Sequence, residues 1–192
     1  MKIAAIQPLS LSDFPGCCAA IIFTAGCNLR CHYCHNKNLW DENYQQMNEQ
    51  EAFDFLHSKS KKIDGVVITG GEPTIHPGLV LFIKKIKNLG YKIKLNTNGT
   101  NPSCIKELIK QGLLDYIAMD VKAPFAIYDK LCGTTTFPDD IKTSIELISS
   151  SKIAHEFRTT FAKKWLTEAD IEVIRDMIPS ASNHIVQNES SA

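Results

Sequence analysis

The chain has 192 residues, a formal net charge of zero from 21 basic and 21 acidic side chains, and an apolar fraction of 44%. This composition excludes an intrinsically disordered chain, gives no sign of a nucleic-acid-binding surface, and contains no apolar stretch long enough to predict a membrane span. Because the N-terminus lacks a signal peptide, we expect a cytoplasmic protein whose seven cysteines serve metal or thiol chemistry rather than disulfide bonds.

Short β-branched runs alternate along the chain with amphipathic helical patterns. The predicted strands cover residues 19–24, 65–69, 91–97, 115–121, 155–161 and 184–186. Between them, Asn48 and Glu51 have the spacing of a capping box, which predicts a helix start. Asn101-Pro102 and Thr167 predict the starts of two later helices.

Strands that alternate with helices predict βαβ units and a parallel sheet, which forms either a doubly wound sheet or a barrel. A complete eight-fold barrel needs about 250 residues. Six strands in this length therefore predict an α/β fold with a partial, open (β/α)6 TIM-like barrel. We expect one domain over residues 1–192, with an N-terminal extension at 1–17 and a polar tail at 187–192.

Polar motifs follow five successive predicted strands. Parallel α/β folds collect their chemistry at the carboxyl ends of the strands, so these motifs are expected to share one face. The motifs are a cysteine-containing segment at 26–36, Gly70-Gly71-Glu72-Pro73, Asn96-Thr97-Asn98-Gly99, Asp120-Val121-Lys122, and Arg158 with Thr160.

Three cysteines, Cys27, Cys31 and Cys34, form a C-x3-C-x2-C run in the first of these segments. Thiolates this close in sequence favour an iron–sulfur cluster or zinc. Three ligands on a four-iron cluster would leave one iron open to a substrate. The alternative is a structural zinc site completed by His32 or His35, but the chain has no second C-x2-C pair. The remaining cysteines are predicted to be structural or incidental, with Cys132 in a loop.

The side chains of the later strand ends each allow two interpretations. The Gly-Gly-Glu turn either approaches a ligand closely or is an ordinary turn with a solvated glutamate. Asn96 and Asn98 suit a ribose or carboxylate, but Asn-Gly is also a common turn. Asp120 and Lys122 share a face of one strand and could form a structural ion pair.

Arg158, in the middle of a later predicted strand, also allows two interpretations. Its guanidinium suits a carboxylate clamp, and an interior salt bridge is the other interpretation of Arg158.

The cysteine run, with Tyr33 in its aromatic position, resembles the C-x3-C-x-aromatic-C motif of radical S-adenosylmethionine enzymes. The Gly70-Gly71-Glu72-Pro73 turn resembles the motif of that superfamily that binds the methionine amino group. Residues 10–16 together with 27–36 resemble the anaerobic ribonucleotide reductase activating proteins, which are relatives of pyruvate formate-lyase activating enzyme. The resemblance extends over about residues 3–186.

This resemblance implies that Cys27, Cys31 and Cys34 hold a [4Fe–4S] cluster whose open iron chelates S-adenosyl-L-methionine. One electron would then cleave the cofactor to methionine and a 5′-deoxyadenosyl radical. The implied cofactor contacts are Tyr33, His35, Gly70, Gly71, Glu72, Pro73, Asn96, Asn98, Asp120, Lys122 and Arg158. Among them, Asp120 is implied to lie near the ribose and Lys122 near the carboxylate.

The activating proteins further imply a glycyl-radical enzyme as partner, namely the anaerobic ribonucleoside-triphosphate reductase. A flavodoxin- or ferredoxin-type electron donor is also implied, with no nucleic acid or membrane partner. Two alternatives remain open: a small-molecule enzyme resembling 7-carboxy-7-deazaguanine synthase, and a non-catalytic zinc- or cluster-binding protein.

Overall fold

The computed structural model describes residues 1–44, 47–60 and 62–189. One seven-stranded sheet follows chain order: β1 (Ile3–Ser10), β2 (Ala19–Thr24), β3 (Gly65–Gly70), β4 (Lys92–Thr97), β5 (Tyr116–Asp120), β6 (Ala154–Phe161) and β7 (Asn183–Asn188). Strands β2 to β7 are parallel, and β1 pairs antiparallel with β2. Within the described residues β1 and β7 do not pair, so the prediction of an open, partial barrel is confirmed.

Among the described residues six α-helices connect the strands: α1 (Glu49–Lys59), α2 (Leu79–Asn88), α3 (Pro102–Lys110), α4 (Tyr128–Cys132), α5 (Pro138–Ser150) and α6 (Glu168–Met177). The predicted helix starts are confirmed by their hydrogen bonds. Asn48 and Glu51 form the reciprocal capping box of α1, and Thr167 caps α6. Asn101 caps α3, whose first residue is Pro102. None of these helices is both long and apolar enough to cross a bilayer, in the part of the chain that is described.

Alternation along the strands separates two sides of the sheet. On the outer side, Ile68, Leu95 and Phe157 are fully buried in the core that includes the inward-facing residues of the helices. The alternating positions Lys94 and Glu156 face the barrel interior, where they form an ion pair. Strands β4 and β6 therefore have apolar side chains on one face and charged side chains on the other, although both faces are buried.

The N-terminal segment corrects one prediction, because the extension at 1–17 contains an additional strand, β1. Four of the eight residues of β1 are exposed, and Pro8 interrupts its alternation, so its sequence lacks the pattern of a buried strand. Beyond β1 the chain crosses the amino-terminal end of the barrel. There Phe14 is 3% exposed and packs on Val67, with its ring edge against Tyr116 at 6.1 Å between centroids.

The last strand runs further than the sequence suggests. β7 includes Gln187 and Asn188, two residues of the predicted polar tail, because both pair with β6. Residues 190–192 of that tail lie outside the described residues. The prediction of a single domain over the whole chain stays a prediction.

Candidate active site

A cavity of about 220 Å³ lies at the carboxyl ends of β2 to β6, as the strand-end motifs predict. All the predicted site residues line this cavity except Pro73, which is buried at the start of a short 3-10 turn, Pro73–Ile75. Five segments that are distant in sequence therefore meet at one site.

The three predicted ligand cysteines lie on the loop that follows β2. Their side chains line the cavity, and a turn closed by Cys34 N–H donating to Cys31 O brings two of them together. Burial raises the pKa of the Cys27 thiol to about 11, although its Sγ accepts a hydrogen bond from the backbone N–H of Leu29 at 3.4 Å. Metal binding would have to displace the Cys27 proton, since the thiolate is the ligand.

The cysteine loop rests on the C-terminal end of α4. The backbone N–H of Arg30 donates to Cys132 O at 2.8 Å, and that of His32 donates to Leu131 O at 3.3 Å. A hydrogen bond with the Cys132 thiol lowers the pKa of Cys31 to about 6 and raises that of Cys132.

The prediction that Cys132 lies in a loop is therefore wrong, since Cys132 is the fully buried last residue of α4. The helix has five residues, and Ile127 at its N-cap makes no side-chain hydrogen bond. It therefore lacks the start signals that reveal α1, α3 and α6. Sequence reasoning also missed Trp165, whose ring stacks on His32 at 4.4 Å and connects the loop after β6 to the cysteine loop.

The Gly70-Gly71 turn packs directly against the base of the cysteine loop. Gly71 N–H donates to Thr24 O at 2.9 Å, and Glu72 N–H donates to Gly26 O at 2.8 Å. A Cβ atom on Gly71 would lie 1.9 Å from Gly26 O. Any side chain at position 71 would therefore clash with the backbone of Gly26, so the position requires glycine for steric reasons alone.

The Glu72 carboxylate is buried and hydrogen-bonded, so the alternative of a solvated glutamate is wrong. Its Oε1 accepts from Thr74 N–H at 3.0 Å, from the Thr74 hydroxyl and from the Thr97 hydroxyl at 2.7 Å. Its Oε2 accepts from Asn98 N–H at 2.6 Å. Burial raises the pKa of Glu72 in spite of these donors. Each carboxylate oxygen accepts about two hydrogen bonds, so Oε2 keeps capacity for a further donor.

Two asparagines that the sequence treats alike have different environments. Asn98 connects loops: its Nδ2 donates to Asn28 Oδ1 at 2.9 Å, and its Oδ1 accepts from the backbone and the hydroxyl of Thr100. Asn96 donates to the Thr69 hydroxyl at 3.3 Å, but its buried Oδ1 has no partner among the described residues. Because an unpaired buried acceptor is costly, Asn96 marks a place for a ligand donor.

Three charged side chains form the opposite wall. Lys122 lies just beyond β5, not on the strand as predicted, yet its Nζ is 3.4 Å from Asp120 Oδ2. Arg158 Nε and Nη2 each lie 3.0 Å from Asp120 Oδ1. Burial would raise the pKa of Asp120, but the two cations outweigh it and lower the pKa. The structure therefore shows the ion pairs that were one interpretation of Asp120, Lys122 and Arg158. The three side chains together carry one net positive charge.

These features fit a cluster and a cofactor that carries a carboxylate and hydroxyl groups: three cysteine side chains, an excess cation and an unpaired carbonyl face one cavity. Within the described residues, no three His, Cys, Asp or Glu side chains are grouped closely enough to hold a single metal ion. Thiolates that each bind a different iron of a cubane stand farther apart than the ligands of one ion.

An open α/β barrel with cysteines and a polar cavity at its strand ends defines a class of cluster enzymes. The sequence pattern of the Radical SAM superfamily matches residues 21–178, and the chain belongs to this superfamily. Its members are enzymes that use a [4Fe–4S] cluster and S-adenosylmethionine. The chain is 37% identical over 193 residues to a candidate glycyl-radical enzyme activating enzyme of Methanocaldococcus jannaschii, covering 96% of this chain and 78% of that protein.

Two further comparisons each match less than half of the other protein. A 7-carboxy-7-deazaguanine synthase of Halobacterium salinarum is 34% identical over 83 residues, or 43% of this chain and 32% of that protein. The structure of Streptococcus suis SuiB bound to S-adenosylmethionine aligns with a TM-score of 0.71 and 19% identity, covering 90% of this chain and 40% of SuiB. The likeness to SuiB shows the fold alone, and the chain spans less than half the length of both proteins.

Proposed function

We propose that this chain is an activase that generates a glycyl radical on a partner enzyme, the anaerobic ribonucleoside-triphosphate reductase. The observation that carries the proposal is the 37% identity to the Methanocaldococcus jannaschii protein across nearly the whole chain. The chain's resemblance to the reductase-activating proteins at residues 10–16 and 27–36 supports this choice of partner.

The charged lining of the cavity supports a macromolecular target. The charged side chains that line it, Glu72, Asp120, Lys122 and Arg158, all have roles toward the cofactor. A second small molecule would find no further charged group in the described cavity wall, whereas a glycine on a flexible loop can reach the mouth from outside.

The residues of the chain divide the binding task. Cys27, Cys31 and Cys34 hold the cluster, and α4 holds their loop. When bound and reduced, the cluster held by these cysteines would supply the one-electron chemistry that cleaves S-adenosylmethionine and allows a hydrogen atom to be removed from glycine.

The remaining polar side chains orient the cofactor. Glu72 Oε2 and the backbone of its turn accept the amino group, and Lys122 and Arg158 bind the carboxylate as charge-assisted donors. Asn96 Oδ1 and Asp120 accept hydrogen bonds from the ribose hydroxyls. Tyr33 and His35 lie on the cysteine loop at the edge of the same cavity and close it over the cofactor.

The test is anaerobic reconstitution, reduction with S-adenosylmethionine and the reductase, and electron paramagnetic resonance spectroscopy. We expect a glycyl-radical doublet, with one 5′-deoxyadenosine formed for each radical. Cys27→Ala should abolish both products, whereas the matched control Cys104→Ala on α3 should retain them. The same assay with flavodoxin or ferredoxin in place of a chemical reductant tests the proposed electron donor.

Other outcomes would identify the alternatives. 5′-Deoxyadenosine without a glycyl signal on the reductase would contradict the activase proposal, and turnover of a purine precursor would then favour a synthase, in line with the partial identity to the Halobacterium salinarum protein. One bound zinc and no iron after anaerobic purification would contradict the enzyme proposal as a whole.

A further inference from the structure

A row of five charged side chains crosses the barrel interior from floor to mouth. In spatial order these are Lys94, Glu156, Arg158, Asp120 and Lys122, and their signs alternate. The lower contacts join Lys94 Nζ to Glu156 Oε1 at 3.2 Å, and Glu156 Oε1 to Arg158 Nη1 at 4.0 Å. The upper contacts are those of Asp120 with Arg158 and Lys122.

Only the upper three members of the row line the cavity. Lys94 and Glu156 lie behind them and are 3% and 7% exposed. Tyr116 completes this lower layer: its hydroxyl donates to Glu156 Oε2 at 2.9 Å, and its ring faces Lys94 Nζ at 4.7 Å from the centroid. Both Glu156 oxygens thus have partners that no ligand in the cavity could replace.

The geometry points to Glu156 as a positioning residue that fixes the Arg158 guanidinium for the cofactor carboxylate. Asp120 binds the Nε and Nη2 side of the guanidinium, and Glu156 faces Nη1. The two carboxylates together fix the orientation of the planar guanidinium group. Glu156 also stands between Lys94 and Arg158. Without its charge the two cations would face each other in a buried site, and their repulsion would push Arg158 out of position.

This inference rests on the proposed contact between Arg158 and the cofactor carboxylate, and it needs no partner enzyme. The experiment is a double-mutant cycle on the reconstituted protein, with calorimetric binding of S-adenosylmethionine in the absence of reductant. We expect Glu156→Gln to weaken binding of S-adenosylmethionine roughly tenfold, a loss similar to that caused by removing a group that orients a metal-binding side chain. In an Arg158→Ala background the same substitution should have no further effect.

Three measurements separate positioning from general damage to the fold. Tyr116→Phe removes one donor to Glu156 and keeps the ring, so it should weaken binding in the same direction by a smaller factor. Glu172→Gln, which removes an exposed ion pair with Arg175 on α6, should leave binding unchanged. Affinity for 5′-methylthioadenosine, which lacks the amino-acid part, should be the same in wild type and Glu156→Gln.

Equal losses from Glu156→Gln in both backgrounds would overturn the inference, as would unchanged binding by Glu156→Gln or no binding by the wild type. If Glu156→Gln does not fold, Tyr116→Phe takes its place: its effect on binding is measured in the wild-type and Arg158→Ala backgrounds and judged by the same criteria. A missing glycyl radical with an intact cycle would instead overturn only the activase proposal.

Discussion

At the scale of single residues, the site depends on contacts that leave no room for another atom. Gly71 is the clearest case because the carbonyl of Gly26 occupies the space of its missing side chain. Glu72, its neighbour, satisfies four donors from the ends of β3 and β4. The turn is thus a structural connection between the cysteine loop and the sheet as well as a candidate cofactor contact.

We therefore expect Gly71→Ala to destabilise the protein by about 1–3 kcal/mol or more, as in other overpacked sites. Gly78→Ala is the matched control, since a Cβ atom there meets nothing within 4 Å. Anaerobic urea unfolding of the two variants is the measurement. Equal midpoints for both would contradict the close contact with Gly26.

A second residue-scale prediction concerns His76, which is buried with its Nε2 unpaired among the described residues. Burial lowers its pKa, so below the unfolded value of about 6.5 the unfolded chain binds more protons than the folded chain. The contribution of His76 to stability is therefore complete above about pH 6.5 and decreases as the pH falls.

The comparison with His76→Leu isolates this contribution, because the other histidines titrate in both proteins. Measured by urea unfolding of the cluster-free chains, the stability of wild type relative to the variant should decrease from pH 7.5 to pH 5. A constant difference over that range would show that His76 titrates normally in the folded chain.

At the scale of elements, the short helix α4 supports the cysteine loop. Gly133, just after α4, has a φ of +62°, and a Cβ atom there would lie 2.6 Å from Arg30 O. The hydrogen bonds of Arg30 and His32 to the end of α4 fix the loop on both sides of Cys31. We infer that this docking arranges the ligands before a cluster is present.

Gly133→Ala should consequently lower the iron and sulfide bound per chain after anaerobic reconstitution. The control Gly112→Ala has the same backbone strain, with a φ of +63°, but its Cβ atom would meet nothing within 4 Å. Its cluster content should match that of the wild type. Similar losses in both variants would mean that strain, and not loop docking, decides cluster assembly.

At the scale of the whole molecule, the barrel is closed at its floor and open at its mouth. Phe14 fills the floor beneath Val67 and Tyr116, so residues 10–16, the first of the two segments that resemble the activating proteins, lie at the end opposite the cavity. Its role in this structure is to seal the barrel and support the lower layer of the charged row.

Phe14→Ala should accordingly destabilise the fold by about 3–5 kcal/mol, the usual cost of removing a buried aromatic ring. Phe137→Ala is the comparison, because Phe137 is 69% exposed and should tolerate truncation. Thermal unfolding of both variants measures the difference. If Phe14→Ala melted at nearly the same temperature as Phe137→Ala, Phe14 would not stabilise the closed end of the barrel.

The sequence predicted most of the strands because buried parallel strands carry local signals. The bounds of β2 match the prediction, those of β3, β4 and β6 differ by one residue at one end, and β5 is one residue shorter at each end. β1 was not counted among the predicted strands of the sheet because a partly exposed edge strand needs no apolar alternation. Cys132 and Trp165 were missed because their neighbours, Arg30 and His32, are more than 90 residues away in the chain.

The sequence by itself determined the superfamily, the six parallel strands and the cysteine run, since periodicity and short motifs are encoded over a few neighbouring residues. Only the tertiary structure showed that Glu72 is buried and hydrogen-bonded, that Asn98 bonds to Asn28 and that Arg158 pairs with Asp120. It also revealed the charged row behind the cavity. The reason is physical: partners such as Lys94 and Glu156 belong to different strands, and their distance and shared burial exist only once the barrel has formed.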